Sequence, residues 1–368
     1  MMLTMMMLVM LVAPVRTFVH NKPMLRGVSV KSTEAPSLYE EAERGLTMRG
    51  EFEGNLRGTE ESLLECGDSV ASAVREFGVA RVNGALSEAT ALKLRAFVAE
   101  ERCRAEADVS QGKIPRLWRF ADVLLKKHRS DVLLPLDSEI VADALRELLE
   151  SKVGSAIEDI LGSSARLREL SCLVADPGAP RQVVHPDTPW RTDPALLTCF
   201  VSLQQVDDTM GPTLFFPETH TQEAHARFFH ADPAVKDDLL KTAPALVSRL
   251  GTGDASLFDS RTLHCGTANV DQERSRYLFY FSFRKASVED TGNPGSIRPC
   301  YDSMLTLADM RAALSSSGKK VPTSFADLSE DDFRPFTPPP PRPRAAGLAS
   351  KKKNNKKRST TKARGFGS

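Results

Sequence analysis

The chain has 368 residues, 41% of them hydrophobic and 26% charged, and its 49 Lys and Arg against 48 Asp and Glu leave a formal net charge of +1. That balance excludes the basic signature of a nucleic-acid binder for the core, and the apolar content excludes wholesale disorder. The length suits one catalytic-sized core with appended ends, because a β-sandwich or barrel of about 200 to 250 residues can be a single domain. Six cysteines lie far apart with no CxxC pair, so neither a disulfide scaffold nor a structural zinc site is expected, and the thiols read as ordinary buried ones.

The first fourteen residues, MMLTMMMLVMLVAP, are uncharged and apolar. They are too few for the roughly 20 residues of a membrane-spanning helix and fit a signal-peptide core better, although no basic residue precedes Arg16. From Arg16 to Thr33 the chain carries Arg16, Lys22, Arg26 and Lys31 with serines and no acid until Glu34. A signal followed by such a stretch resembles a bipartite plastid presequence. Residues 1–60 are therefore expected to be a targeting or disordered segment, with a destination in the secretory pathway or a plastid.

Leu63, Leu64, Val70, Ala73, Val74 and Phe77 recur at helical spacing over 62–77, and Gly78 stops the pattern. A strand through Val79, Arg81 and Val82 follows, with a turn at Asn83-Gly84 and a helix that Ser87 caps and Glu88 begins. Asp137 to Leu161 reads as one amphipathic helix. From Arg166 to Phe283 the texture changes to short β-branched and aromatic runs (LRELSCLVA, RQVVH, ALLTCFVSLQQV, PTLFFP, ASLF, RYLFYFSF) separated by Gly, Pro and Asp. Only Gln222 to Leu240 is helical among them, which argues against a doubly wound parallel sheet. The expected fold is mainly β with flanking helices: a double-stranded β-helix, or cupin-like jelly roll, over residues 61–310. Residues 311–368 read as a Pro-rich linker and a disordered tail whose last eighteen residues hold eight Lys or Arg and no acid. On charge alone that tail suits an acidic partner.

In RQVVHPDTPW, His185 and Asp187 are two residues apart at the end of a strand-like run, so extended geometry sends both side chains to one face. His264, in DSRTLHCGTANV, supplies a third ligand beyond the strand ASLF. Two imidazoles and one carboxylate on one face of an octahedral metal leave three positions open, which suits a non-haem Fe(II) oxygenase. Downstream, Arg274 and Arg276 flank the start of RYLFYFSF, and a guanidinium held on a rigid strand can grip a dicarboxylate bidentately. The two share strand parity, so alternation does not choose between them. Arg276 is favoured because it lies deeper in the apolar run.

These pieces, in order, resemble the phytanoyl-CoA dioxygenase (PhyH-like) family of Fe(II)/2-oxoglutarate oxygenases. VARVNGALSEATALKLRAFV resembles the family's opening strand and helix, HPDTPW its H-x-D turn and MGPTLFFPETH its G-P-T-x-F-x-P-G-S-H segment. GDASLFDSRTLHCGTAN and RYLFYFSF resemble the distal-histidine and cosubstrate-arginine strands, and the set spans Phe77 to Phe283. The resemblance implies His185, Asp187 and His264 as iron ligands, Arg276 as the partner of the distal carboxylate of 2-oxoglutarate, and O2 as the oxidant. Thr213 and Gln182 are further candidates for lining the cosubstrate pocket. Two departures are visible. The interval from Asn269 to the arginine is one residue longer than usual, which keeps Arg274 in play, and Glu218-Thr219-His220 stands where the family has Gly-Ser-His.

The expected product chemistry is hydroxylation of an organic small molecule with release of succinate and CO2. Asp187 disfavours halogenation, because related halogenases have a small residue at that position. The competing readings are a catalytically silent binding module and a cupin-like metalloenzyme that does not use 2-oxoglutarate. His220, His225 and His230, five residues apart, wander around a helix and are not expected to bind metal. Specificity is expected from loops and N-terminal helices over the open end of the barrel, including Lys113 to Leu136.

Overall fold

The computed structural model describes residues 63, 69–121, 123, 127–288 and 305–315. The expected targeting segment, Pro-rich linker and basic tail lie outside the described residues, as do most of the residues preceding Val70 in the first predicted helix.

The opening elements follow the sequence pattern closely. Helix α1 (Val70–Phe77) ends at Gly78, whose φ of 79° takes the left-handed conformation of a helix terminator. Strand β1 (Val79–Val82) comes next, and in α2 (Glu88–Ser110) the Ser87 hydroxyl accepts from the Thr90 amide as an N-cap. Strands β2 (Phe120–Ala121) and β3 (Arg129–Leu133) occupy the stretch expected to be loop or helix over the open end of the barrel. The single helix expected over 137–161 is two, α3 (Glu139–Glu150) and α4 (Lys152–Leu161). Ser151 between them is extended, with ψ of −177°, and its hydroxyl accepts from the Val153 amide, capping the second helix at the cost of the first's continuity.

The β-rich half contributes β4 (Arg166–Ala175), β5 (Leu196–Ser202), β6 (Thr213–Phe215), β7 (Leu246–Ser248), β8 (Ala255–Asp259), β9 (His264–Gly266) and β10 (Arg276–Arg284). The helical stretch expected over 222–240 is also divided, into α5 (Gln222–Phe228) and α6 (Pro233–Thr242). Asp232 caps α6 and Pro233, which has no amide hydrogen to donate, starts it. Helix α7 (Leu307–Ser315) crosses the domain end expected at 310, and its Leu307, Met310 and Leu314 belong to the main core.

The strands form two antiparallel sheets, one in the order β1-β8-β5-β10-β4-β3-β2 and one in the order β7-β6-β9. The fold is the expected jelly roll. Alternation along β10 assigns the two faces of the large sheet. Phe279, Phe281 and Phe283 join a core built with Leu94 and Val98 of α2, Leu145 of α3 and Ile157 of α4, so this is the helix-covered outer face. Arg276, Leu278, Tyr280 and Ser282 take the opposite, inner face. Across the inner space Phe258 of β8 meets Phe215 of β6, with ring centroids 5.1 Å apart, and Ser256 of β8 meets Ser248 of β7 at 2.8 Å. The RQVVH run departs from expectation: Arg181–Val184 form no strand, and pairing with the small sheet is confined to a bridge between His185 and His264.

Candidate active site

The bridge that replaces the expected strand brings two of the predicted ligands together. The His185 and His264 backbones exchange both hydrogen bonds, at 3.0 and 2.9 Å, which sets their rings 4.6 Å apart. Asp187 is held beside them because its amide and that of Thr188 donate to the carbonyl of Ser260, at 2.8 and 3.1 Å. One carboxylate oxygen of Asp187 lies 3.7 Å from Nε2 of His185 and 3.6 Å from Nε2 of His264. Among the described residues, His185, Asp187 and His264 are the only group whose ligand atoms converge as a metal site would require, all within 4.8 Å of one another.

The tautomers suit a metal. Nδ1 of His185 is 2.8 Å from the carbonyl of Val183, and Nδ1 of His264 is 3.0 Å from that of Thr262. A carbonyl can only accept, so each Nδ1 carries the proton and each Nε2 turns a lone pair inward. Burial lowers both imidazoles to about 4, with His264 adding to the effect on His185, so both are neutral near pH 7. Burial also raises Asp187 to about 6, opposed by the neighbouring His185. The donor set therefore fits a divalent transition metal that leaves part of its coordination sphere open.

A buried brace supports this turn. Arg261 forms a bidentate pair with Asp259 at the end of β8, with Nε to Oδ1 at 2.9 Å and Nη2 to Oδ2 at 2.5 Å. It also donates to the carbonyl of Arg191, downstream of the H-x-D turn. Nε2 of His225 donates to the Arg261 carbonyl at 2.7 Å. The brace fixes residues 260–262, whose Ser260 and Thr262 carbonyls hold Asp187 and His264.

Beyond the metal triad, the inner face of the large sheet carries two buried arginines. Arg276 and Arg129 both pair across strands with Ala175, so they flank it on one face. Arg276 donates through Nη1 to the Gly211 carbonyl, and Arg129 through Nη2 to that of Thr267. Nε and Nη2 of Arg276, and Nε and Nη1 of Arg129, have no hydrogen-bond partner among the described residues. Unmade donors of this kind are costly, and their concentration at one place fits an absent anionic ligand. Burial lowers Arg276 to about 9, with the charge of Arg129 contributing, and lowers Arg129 to about 10; both remain cationic at neutral pH. Gly211 is required here: its φ is 73°, and an added Cβ would lie 2.6 Å from the Thr267 carbonyl oxygen.

The remaining predicted residues have other surroundings. Arg274 is half exposed and paired with Asp271 and Asp207, whereas Arg276 is fully buried. The backbone carbonyl of Arg274, with that of Ala175, accepts from the Asn269 side chain, which ties the loop before β10 to the end of β4. Gln182 accepts at Oε1 from the Gly266 amide while its backbone N–H donates to the Gly266 carbonyl, so it fastens the H-x-D segment to β9. Thr213 is buried on β6 opposite Gly266. Sequence reasoning missed Arg129, Arg261 with Asp259, and His225. The available signal for Arg129 was its spacing of two from Asp131 in the short run RSDVL, which puts both charges on one strand face; every residue of that strand is buried.

Comparison with known proteins gives a family match. The family model described as phytanoyl-CoA dioxygenase (PhyH) matches residues 74–276. No curated protein matches the chain. Solved structures with similarity include SnoN, a non-heme alpha ketoglutarate dependent epimerase from nogalamycin biosynthesis, at 20% identity, TM-score 0.41, covering 59% of this chain and 82% of that one. SnoK, a carbocyclase from the same biosynthesis, has 18% identity and a TM-score of 0.42 over 62% of this chain and 88% of that one. AviO1 from Streptomyces viridochromogenes Tue57 has 14% identity and a TM-score of 0.45 over 61% and 96% respectively.

Proposed function

This chain belongs to the phytanoyl-CoA dioxygenase family of Fe(II)/2-oxoglutarate-dependent oxygenases, and from that premise we propose that it hydroxylates a small organic molecule, with His185, Asp187 and His264 holding the iron and Arg276 holding the cosubstrate. The observation that carries the residue assignment is the pairing of two inward Nε2 lone pairs and one carboxylate with a fully buried arginine whose Nε and Nη2 are unpartnered. Iron(II) bound there, with 2-oxoglutarate and O2, supplies the oxidising chemistry and turns the cosubstrate into succinate and CO2.

The chain's own residues set the conditions for that chemistry. The carbonyls of Val183 and Thr262 keep the histidine rings in the tautomer that offers Nε2, so no proton has to leave before metal binds near neutral pH. Arg276 offers Nε and Nη2 side by side, which matches the two oxygens of a carboxylate and orients the cosubstrate along the inner wall. Arg129 adds a second cation to the same face. Phe215 and Phe258, with ring centroids 5.8 and 5.0 Å from that of His264, keep that side of the site apolar and dry. A carboxylate at position 187 retains the three-ligand set, which supports hydroxylation over halogenation.

Anaerobic titration of the full chain with Fe(II) and 2-oxoglutarate tests this reading through the visible charge-transfer band of the chelate. The band is expected in the unmodified protein and in Arg274→Ala, and is expected to be lost in His264→Ala and weakened in Arg276→Ala. A folded protein without the band would overturn the assignment.

A further inference from the structure

The inner wall of the large sheet carries a second polar group that iron and cosubstrate binding leave unused. Asp131 on β3, Ser171 on β4 and Tyr280 on β10 share the face of Arg276. The register places Tyr280 opposite Ser171 and Ser282 opposite both Thr198 and Glu169, while Asp131 faces Leu173, itself opposite Leu278. All three side chains are more than nine-tenths buried. Tyr280 donates to Oδ2 of Asp131 at 2.6 Å. Oδ1 of Asp131 has no hydrogen-bond partner among the described residues.

The group connects to the metal ligands through three successive ring contacts. Phe200 of β5 packs edge-on against Tyr280, with ring centroids 5.6 Å apart, and against Phe258 at 5.1 Å; Phe258 in turn contacts His264 at 5.0 Å. A short aromatic path therefore joins Asp131 and Tyr280 to the triad.

The chemistry of the missing partner follows from the group's charge. Among the described residues no cation pairs with Asp131: Arg129, two positions along the same strand face, turns Nη2 to Thr267 instead. Burial raises the Asp131 carboxyl to about 7 against the pull of the Tyr280 and Ser171 hydroxyls, and the nearby Glu169 carboxylate, which accepts from Ser282, adds a smaller part of the rise. An anion such as 2-oxoglutarate would be repelled here and has the two arginines to go to. A positively charged donor would relieve the burial cost of Asp131 and use its free Oδ1 as an acceptor.

We propose that Asp131, supported by Tyr280 and Ser171, recognises a protonated amine on the substrate, so that the enzyme acts on a small cationic molecule and not on a purely aliphatic acyl chain. The proposal rests on the oxygenase reading for the fate of that molecule, but its binding is measurable without iron.

The test is thermal denaturation of the metal-free full chain with n-pentylamine and L-lysine as probes, and with 1-pentanol and pentanoate as neutral and anionic controls. The titrations are then repeated with Fe(II) and 2-oxoglutarate, following the charge-transfer band. The two amines are expected to raise the melting temperature and perturb the band, and the controls are not. Asp131→Asn is expected to weaken amine binding about tenfold or more, the loss of one charge-assisted contact. Tyr280→Phe is expected to weaken it less, and carries the same prediction should Asp131→Asn fail to fold. Amines that bind no better than 1-pentanol, or bind equally well to the variants, would overturn the proposal. With the band present, that result sinks the amine site alone. A missing band with Asp131-dependent amine binding intact sinks the oxygenase reading and supports the amine site.

Discussion

Arg276→Met should make the ligand-free protein more stable while removing its response to 2-oxoglutarate, and the two signs can be worked from the structure. Arg276 is fully buried and its Nε and Nη2 make no hydrogen bond among the described residues. A buried donor left unmade costs about 1–3 kcal/mol, so removing two of them gains roughly 2–6 kcal/mol. Methionine fills similar space without donors, but it abandons the Gly211 carbonyl that Nη1 satisfies, which returns about 1–3 kcal/mol. The net gain is on the order of 1–3 kcal/mol, which at about 2–4 °C per kcal/mol for a domain of this size raises Tm by roughly 2–12 °C. In the unmodified protein, cosubstrate at about 100 times its Kd should add about 2.7 kcal/mol of stability, and in the variant this increment should vanish. Calorimetry with and without 2-oxoglutarate, with Mn(II) in place of iron, reads both effects. A variant that melts lower without ligand and is still stabilised by 2-oxoglutarate would refute the argument that the orphaned nitrogens await a carboxylate.

Two further substitutions probe the surroundings of the site. Arg261→Ala leaves Asp259 buried and unpaired and should cost about 3–5 kcal/mol in urea denaturation. Because the 260–262 turn then loosens, metal affinity measured by chelator competition should fall about ten- to a hundredfold, and a folded variant with unchanged affinity would show that the turn does not position the ligands. Asp131→Asn should change the pH dependence of stability. The folded protein keeps a proton on Asp131 up to about pH 7, whereas the unfolded chain releases it near pH 4, so the stability that Asp131 permits is full below about pH 4 and is lost as the pH rises towards 7. The variant should therefore exceed the unmodified protein by a few kcal/mol above pH 7, with the gap closing towards pH 4 in parallel urea titrations. A gap that does not vary with pH would mean that the carboxyl, set among Glu169, Tyr280 and Ser171, is not held protonated.

The parts of the site that were legible in the sequence are those with a local signature. His185 and Asp187 are neighbours in one turn, His264 follows a short apolar strand, and Arg276 starts an aromatic run whose alternation is plain. The jelly roll was legible for the same reason, since short β-branched runs punctuated by Gly and Pro leave few architectures. Local signals also misled. RQVVH has a strand's composition, yet its pairing is confined to His185, because Gln182 and the flanking loop are tied to β9 by other bonds. The 137–161 stretch has unbroken helical periodicity, and the break at Ser151 comes from one hydroxyl competing for a backbone amide.

What sequence alone determined is therefore the set of chemical groups and the segments that carry them: three ligands, one cosubstrate arginine, and strands able to hold them. Tertiary structure decided which groups are brought together. Arg129 and Arg276 are 147 positions apart and meet only because both strands pair at Ala175. Asp131 meets Tyr280 through the same register, and Arg261 braces the ligands because a turn folds back on Asp259 and His225. Periodicity says which face of a strand a residue takes, but register between distant strands says what it faces, and register is set by the packing of the whole sheet.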